Sequence, residues 1–129
     1  MIKKHIPSGC QFPDAWQVDN VVYLSGQVSI DSQGAIVGKD NIALQTKTTF
    51  DNVRRVLEKA GSGLEQLIKI NTYLVYRGSD EDFPDFWAAM NAARLPFIPD
   101  PAPAATAMLV TGLAHPDFLI EIDGIATLR

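Results

Sequence analysis

The chain has one cysteine, two histidines, no long apolar run and no block of like charge in its 129 residues. Each shortage removes a class of answer. A lone thiol, Cys10, excludes an internal disulfide, and with no Cys/His cluster at metal-ligand spacing no metal site is expected. No apolar stretch reaches the ~18–20 residues that a membrane span needs, so no membrane role is expected. The basic start, Met1 to His5, leads into Pro7 and Ser8 rather than an apolar segment. It does not read as a signal peptide, and the expected location is cytoplasmic. Acidic residues outnumber basic ones 15 to 11, and only Lys3-Lys4 and Arg54-Arg55 are adjacent basic pairs. Nothing here neutralises several phosphates at once, so nucleic acid is not an expected partner.

What is present suits one domain over residues 1–129, with 47% apolar and 20% charged residues. Residues 21–28 are rich in β-branched and aromatic types and follow the turn pair Asp19-Asn20. They read as the second arm of a hairpin whose first arm lies near Ala15–Val18. Turns follow at 31–34 and 38–40, with room for a short strand between them. From about Asn41 to Ala60 the period becomes helical: Thr46, Thr49, Phe50, Val53, Val56, Leu57 and Ala60 share a face. Asp40 or Asn41 can cap the start, and Gly61 stands where a left-handed cap ends such a helix. The opposite face, with Lys47, Asp51, Arg54, Arg55 and Glu58, reads as solvated surface.

Residues 67–76 alternate as a strand, with Ile68, Ile70, Leu74 and Tyr76 on one side and Lys69, Asn71 and Tyr73 on the other. A second helix is expected over 82–94, with Pro84 in its first turn and Phe83, Phe86, Trp87 and Met90 as its apolar side. Residues 96–103 hold four of the eight prolines and are expected to form a stiff, extended connector. Strands at 104–113 and 118–127 close the chain. The order ββ, a possible short strand, then αβαββ predicts an α+β subunit with a mixed sheet and two helices on one face. One layer of two helices cannot cover both faces of such a sheet, so self-association is expected.

Three segments carry a family likeness. Phe12-Pro13-Asp14-Ala15-Trp16-Gln17-Val18, ending in Ser25-Gly26-Gln27, resembles the opening hairpin of the RidA/YjgF (reactive intermediate deaminase) family. Gln45-Thr46, Asn52-Val53, Val56-Leu57 and Ala60-Gly61 resemble its first helix and cap. Pro103-Ala104-Ala105-Thr106, then Leu113 and Ile120-Glu121-Ile122, resemble its closing strands, so the likeness runs over about residues 10–128. It implies a chorismate-mutase-like fold assembled as a homotrimer, with small carboxylate ligands in clefts between subunits. It also implies cofactor-free hydrolysis of reactive imino or enamine acids to oxo acids and ammonia. By the same likeness Glu121 positions the attacking water, and Ser25-Gly26 offers a backbone contact.

The chain departs from that pattern where the family grips its substrate. Ala105 stands in place of the motif arginine, Phe12 in place of a tyrosine, and Trp87 near the place of an asparagine. A guanidinium is a planar, bidentate, permanent cation, and alanine supplies nothing equivalent. The expected site is therefore catalytic Glu121 with Phe12, Ser25, Gly26, Trp87, Ala105 and Thr106 as ligand contacts, shaped for a more apolar substrate. Arg94 and Arg77 are the cations to test as replacements. The rival expectation, from Ala105, is a trimeric binding protein without catalysis; a ribonuclease role fits the acidic balance poorly. Two carboxylates, Glu121 and Asp123, share one face of the last strand, and burial there would raise the glutamate's pKa toward neutrality. Cys10 reads as an inert thiol, and His115 as a surface turn residue.

Overall fold

The long periodic segment folds as α1, Ile42–Lys59. Asn41 caps it, its Oδ1 accepting the Leu44 N–H at 3.0 Å, and Gly61 ends it at φ 84°. The computed structural model describes Met1 and residues 3–129; Ile2, inside the basic N-terminal run, lies outside the described residues. All seven residues expected on the inner face of α1 are buried. Gln45 joins them, also fully buried, a residue that the apolar pattern passes over.

The strands are β1 (Lys3–Ile6), β2 (Ala15–Val18), β3 (Val21–Gln27), β4 (Leu67–Leu74), β5 (Ala104–Leu109) and β6 (Ile120–Thr127). They form one mixed sheet in the order β1-β2-β3-β6-β4-β5. All neighbours are antiparallel except β4 and β5, which run parallel. The closing strands are therefore not partners: β4 separates them, and β5 forms an outer edge. The second helix, α2 (Phe83–Arg94), has Pro84 in its first turn and packs beside α1 on the same face of the sheet. The expected two-helix layer on a mixed sheet is what the chain adopts.

Side-chain alternation divides the sheet into two faces. Ile70, Leu74, Ile120, Ile122, Ala126, Val22 and Leu24 point under the helices and form the core with Phe50, Val53, Val56 and Leu57. The other face is open in the protomer and carries exposed Trp16, Tyr23 and Met108. Trp16 there lies between His5 (ring centroids 5.3 Å apart) and the Lys3 ammonium (4.8 Å). β5 is exposed along all six residues, because neither helix reaches it.

Four expectations need correction. β1 was not foreseen, since its residues are Lys3, Lys4, His5 and Ile6, of which only Ile6 is buried; an edge strand needs little apolar signal. Ile68 does not share the buried side with Ile70. The register shifts between Leu67 and Lys69, and that irregularity turns Ile68 out to half exposure. The connector is not extended throughout, because Leu95–Phe97 makes a 3₁₀ turn with Pro96 in its first positions. That turn seats Phe97 against Phe50, ring centroids 5.2 Å apart. The closing strands end at Leu109 and begin at Ile120, because 110–119 make a loop tied by Gln45. Its amide donates to the Gly38 and Asp117 carbonyls at 3.0 and 2.8 Å, and its oxygen accepts the Leu119 N–H at 2.9 Å.

Candidate functional site

The centre of the open face is built where β3 breaks register against β6. Leu24 pairs with Gly124 and Gln27 with Ile122, so Ser25 and Gly26 together oppose the single residue Asp123. This is a β-bulge, two residues facing one. Ser25 anchors it: its N–H donates to the Asp14 carbonyl at 2.8 Å and its hydroxyl to the Pro13 carbonyl at 2.7 Å. The hydroxyl is therefore spent holding the loop that precedes β2, and that loop carries Phe12. The Phe12 ring itself is exposed.

Gly26 makes room for Glu121. A Cβ at position 26 would lie 2.3 Å from Glu121 Oε2 and 2.8 Å from its Cδ, so the carboxyl rests directly over the glycine. Glu121 is half-buried, and burial lifts its pKa above the ordinary carboxylate range, with the Asp123 charge adding to the rise. Asp123 is held by two donors, Asn71 Nδ2 at 2.8 Å and the Tyr73 hydroxyl at 3.0 Å. Those bonds follow from the ladder, since Asn71 pairs with Asp123 and Tyr73 with Glu121. Tyr73 is pushed up in turn, first by donating to Asp123 and then by burial and the two carboxylate charges. The result is a carboxyl with a raised pKa beside a second carboxyl held by two donors, seated where position 26 has no side chain.

Thr106 shares this face, its Oγ1 accepting from Lys69 Nζ at 3.0 Å. Ala105 does not: it pairs with buried Ile70 and so points to the helical side of the edge strand, where it is exposed. Trp87 also belongs to the helical layer. It packs partly against the core, with Phe83 at 6.4 Å and the Arg94 guanidinium 5.4 Å over its ring. In one protomer, then, Glu121, Gly26 and Thr106 share the open face, Ser25 and Phe12 border it, and Ala105 and Trp87 lie on the other side.

Neither proposed replacement cation reaches Glu121 within the protomer. Arg94 stacks on Trp87 and donates to Asn91 at 2.9 Å, its pKa drawn down by burial. Arg77 is exposed in the loop after β4. The cation on the Glu121 face of β4 is Lys69, one of the residues that the β4 alternation had already set on the side of Asn71 and Tyr73. Asn71 and Tyr73, the two donors to Asp123, are residues that sequence reasoning left unassigned, although their shared side was visible in that alternation. At Cys10 the Ser8 hydroxyl lies 3.0 Å from the exposed Sγ and lowers the thiol pKa. Among the described residues no group of three or more His, Cys, Asp or Glu side chains is placed to hold a metal ion. Among them, too, no helix is long and apolar enough to cross a membrane.

Comparison with known proteins agrees with this fold. A RutC family protein of Pyrococcus abyssi is 33% identical over 115 residues, covering 89% of this chain and 84% of that one. The mitochondrial protein mmf2 of Schizosaccharomyces pombe is 35% identical over 120 residues, covering 92% and 88%. The 3-aminoacrylate deaminase RutC of Acinetobacter baylyi is 29% identical over 120 residues, covering 93% and 89%. In three dimensions the crystal structure of RidA from an Antarctic Psychrobacter superposes with a TM-score of 0.78 at 26% identity, over 97% of this chain and 94% of that one. The family model described as Endoribonuclease L-PSP matches residues 3–128, nearly end to end, and the chain belongs to the RidA/YjgF family.

Proposed function

We propose that the chain hydrolyses a reactive imino or enamine acid to the corresponding oxo compound and ammonia, as a cytoplasmic homotrimer that needs no cofactor. The observation that carries this reading is the Glu121 carboxyl over Gly26, half-buried and raised in pKa beside Asp123. In its ionised form a carboxyl so placed takes one proton from water as the oxygen adds to the C=N carbon, then gives it to the nitrogen. The addition gives a carbinolamine, whose hydroxyl proton also passes to the nitrogen as C=O forms and the C–N bond breaks. C=N and water thus become C=O and ammonia, with no electrons exchanged. The substrate class comes from the relative named as a 3-aminoacrylate deaminase. Ala105, Phe12 and Trp87, in place of polar or charged family residues, favour a more apolar member of that class.

A second copy enters the proposal for a geometric reason. Ala105 and Trp87 lie across the sheet from Glu121, so a cleft holding all of them needs a neighbour's surface. The test is purified protein against 2-imino acids generated in situ and against a 2-aminomuconate-type enamine. Glu121→Gln should lower turnover by ~10²-fold or more, the usual worth of a positioned acid–base group. Hydrolysis unaffected by that change refutes the mechanism, and a monomer by light scattering at micromolar concentration refutes the cleft. A second reading, a trimeric binding protein without catalysis, is favoured by Ala105, a methyl group where the family clamps a carboxylate. It predicts ligand-dependent thermal stabilisation with no turnover, and turnover above background overturns it.

A further inference from the structure

On the helical side of the bulge, away from Glu121, a groove of about 670 Å³ runs between α1 and the loops flanking the first three strands. Its helical wall carries Arg55 and Lys59, one turn apart and so on the same face. Both are exposed, and neither has an ion-pair partner among the described residues. Their neighbours on α1 behave differently: Lys47 and Arg54 share Asp51 at 3.1 and 3.3 Å. Arg55 is solvated surface as the sequence reads it, and the fold sets it at the wall of the groove.

The loop wall supplies Asp14 and Asp31. Asp31 Oδ1 accepts the Gln33 and Ala35 N–H groups, each at 2.9 Å, and Asp14 Oδ1 accepts a long 3.5 Å bond from Gln27. Oδ2 of each carboxylate has no partner among the described residues. Between the walls lie Val28 and Ile30, half-buried, whose carbonyls are fixed by Asn52 Nδ2 at 2.9 and 3.0 Å.

Two cations on the helix and two carboxylates on the loops sum to zero. A plain anion is drawn to one wall and repelled by the other, and a plain amine meets the same conflict reversed. A molecule carrying both charges satisfies both walls. We propose that this groove binds a small zwitterion of the amino-acid type: carboxylate to Arg55 and Lys59, ammonium to Asp14 and Asp31, aliphatic side chain against Val28 and Ile30. The site does not depend on the hydrolase reading, because Glu121 lies on the other face and only the Gly26 backbone is common to both. The groove is open and its charges are screened by solvent, so affinity falls in the millimolar range.

The test is amide NMR of the isotope-labelled full chain titrated with L-leucine. The comparison probes are 4-methylpentanoate, which lacks the ammonium, and 3-methylbutylamine, which lacks the carboxylate. Leucine should give saturable shifts at Gly26, Ile30 and Gly34, and both analogues should bind about tenfold more weakly. Arg55→Gln, at an exposed residue with no partner to lose, should weaken leucine about fivefold, the worth of a screened charge pair. Glu121→Gln should leave leucine binding unchanged, which separates this site from the proposed catalytic one. Absence of saturable shifts at those amides, equal binding by the deaminated analogue, or loss of binding in Glu121→Gln each overturns the assignment.

Discussion

Gly26→Ala is the sharpest test of the Glu121 site, because it changes the space under the carboxyl and little else. The added methyl carbon would stand 2.3 Å from Glu121 Oε2, whereas ordinary contact begins near 3.4 Å. The carboxyl must therefore withdraw by about 1 Å, and a misplacement of that size can cost ~10²-fold in rate. The fold should tolerate the change. Gly26 is not among the residues with a left-handed backbone, and the atoms in its way are the far end of a half-exposed side chain that can swing into the open face. Replacing a strand glycine by alanine also removes freedom from the unfolded chain, worth about 0.5–1 kcal/mol toward stability. The assay is hydrolysis of an imino acid generated in situ, read as kcat/KM, with thermal unfolding measured on the same preparation. Gly112→Ala is the control, since a methyl group there meets nothing within 4 Å. A Gly26→Ala protein that melts normally and keeps its activity within twofold would refute the position assigned to the reacting carboxyl.

Asp123→Asn removes the charge beside Glu121, so the glutamate pKa should fall part of the way back, burial being the larger cause of its rise. Activity that depends on the ionised carboxylate rises with pH through that pKa, so the acidic limb of the pH–rate profile should move to lower pH; an unmoved or upward-shifted limb contradicts the coupling. Because the native state holds the Glu121 proton more tightly than the unfolded chain does, that residue costs stability as pH rises through the two pKa values. Glu121→Gln should therefore be at least as stable as the parent at neutral pH, checked by denaturant unfolding, and a clearly less stable variant would contradict the burial argument. Gln45→Leu strands two carbonyls and an N–H that tie the 110–119 loop to α1, and should cost about 3 kcal/mol in urea unfolding; a loss under about 1 kcal/mol would mean water replaces the amide. Thr72→Val removes a hydroxyl that is buried under the helices without a partner among the described residues, and should stabilise by about 1 kcal/mol; destabilisation would reveal an ordered water there.

The elements legible in the sequence are those whose burial is one-sided. α1 announces itself because all seven inward positions repeat at helical spacing, and its ends because Asn41 and Gly61 do distinct chemical work there. β4 and β6 are nearly as plain, with Ile70, Leu74, Ile120 and Ile122 under the helices and Asn71, Tyr73, Glu121 and Asp123 on the other side. The irregularity that turns Ile68 out left no mark. β1 and the order of the strands were not legible. Three exposed residues and one buried isoleucine leave no pattern, and the adjacency of β4 to β6 is settled by packing far along the chain. The bulge sits between these extremes: a glycine inside a strand hints at an irregularity, but only the register with β6 brings Glu121 over it. The same holds for the face assignments. That Ala105 and Glu121 point to opposite sides follows from pairing through β4, which alternation within either strand alone cannot give.

β5 leaves this chain with an unfinished rim. Its outer row of backbone donors and acceptors has no strand beyond it, and Met108 and Leu109 lie about half uncovered on its two faces. A solitary copy thus offers a ready template to any extended segment that meets it. Any occupant of that rim would also guard this polypeptide against amyloid-like stacking. Met108→Lys should therefore lengthen its shelf life, read as slower loss of protein from solution.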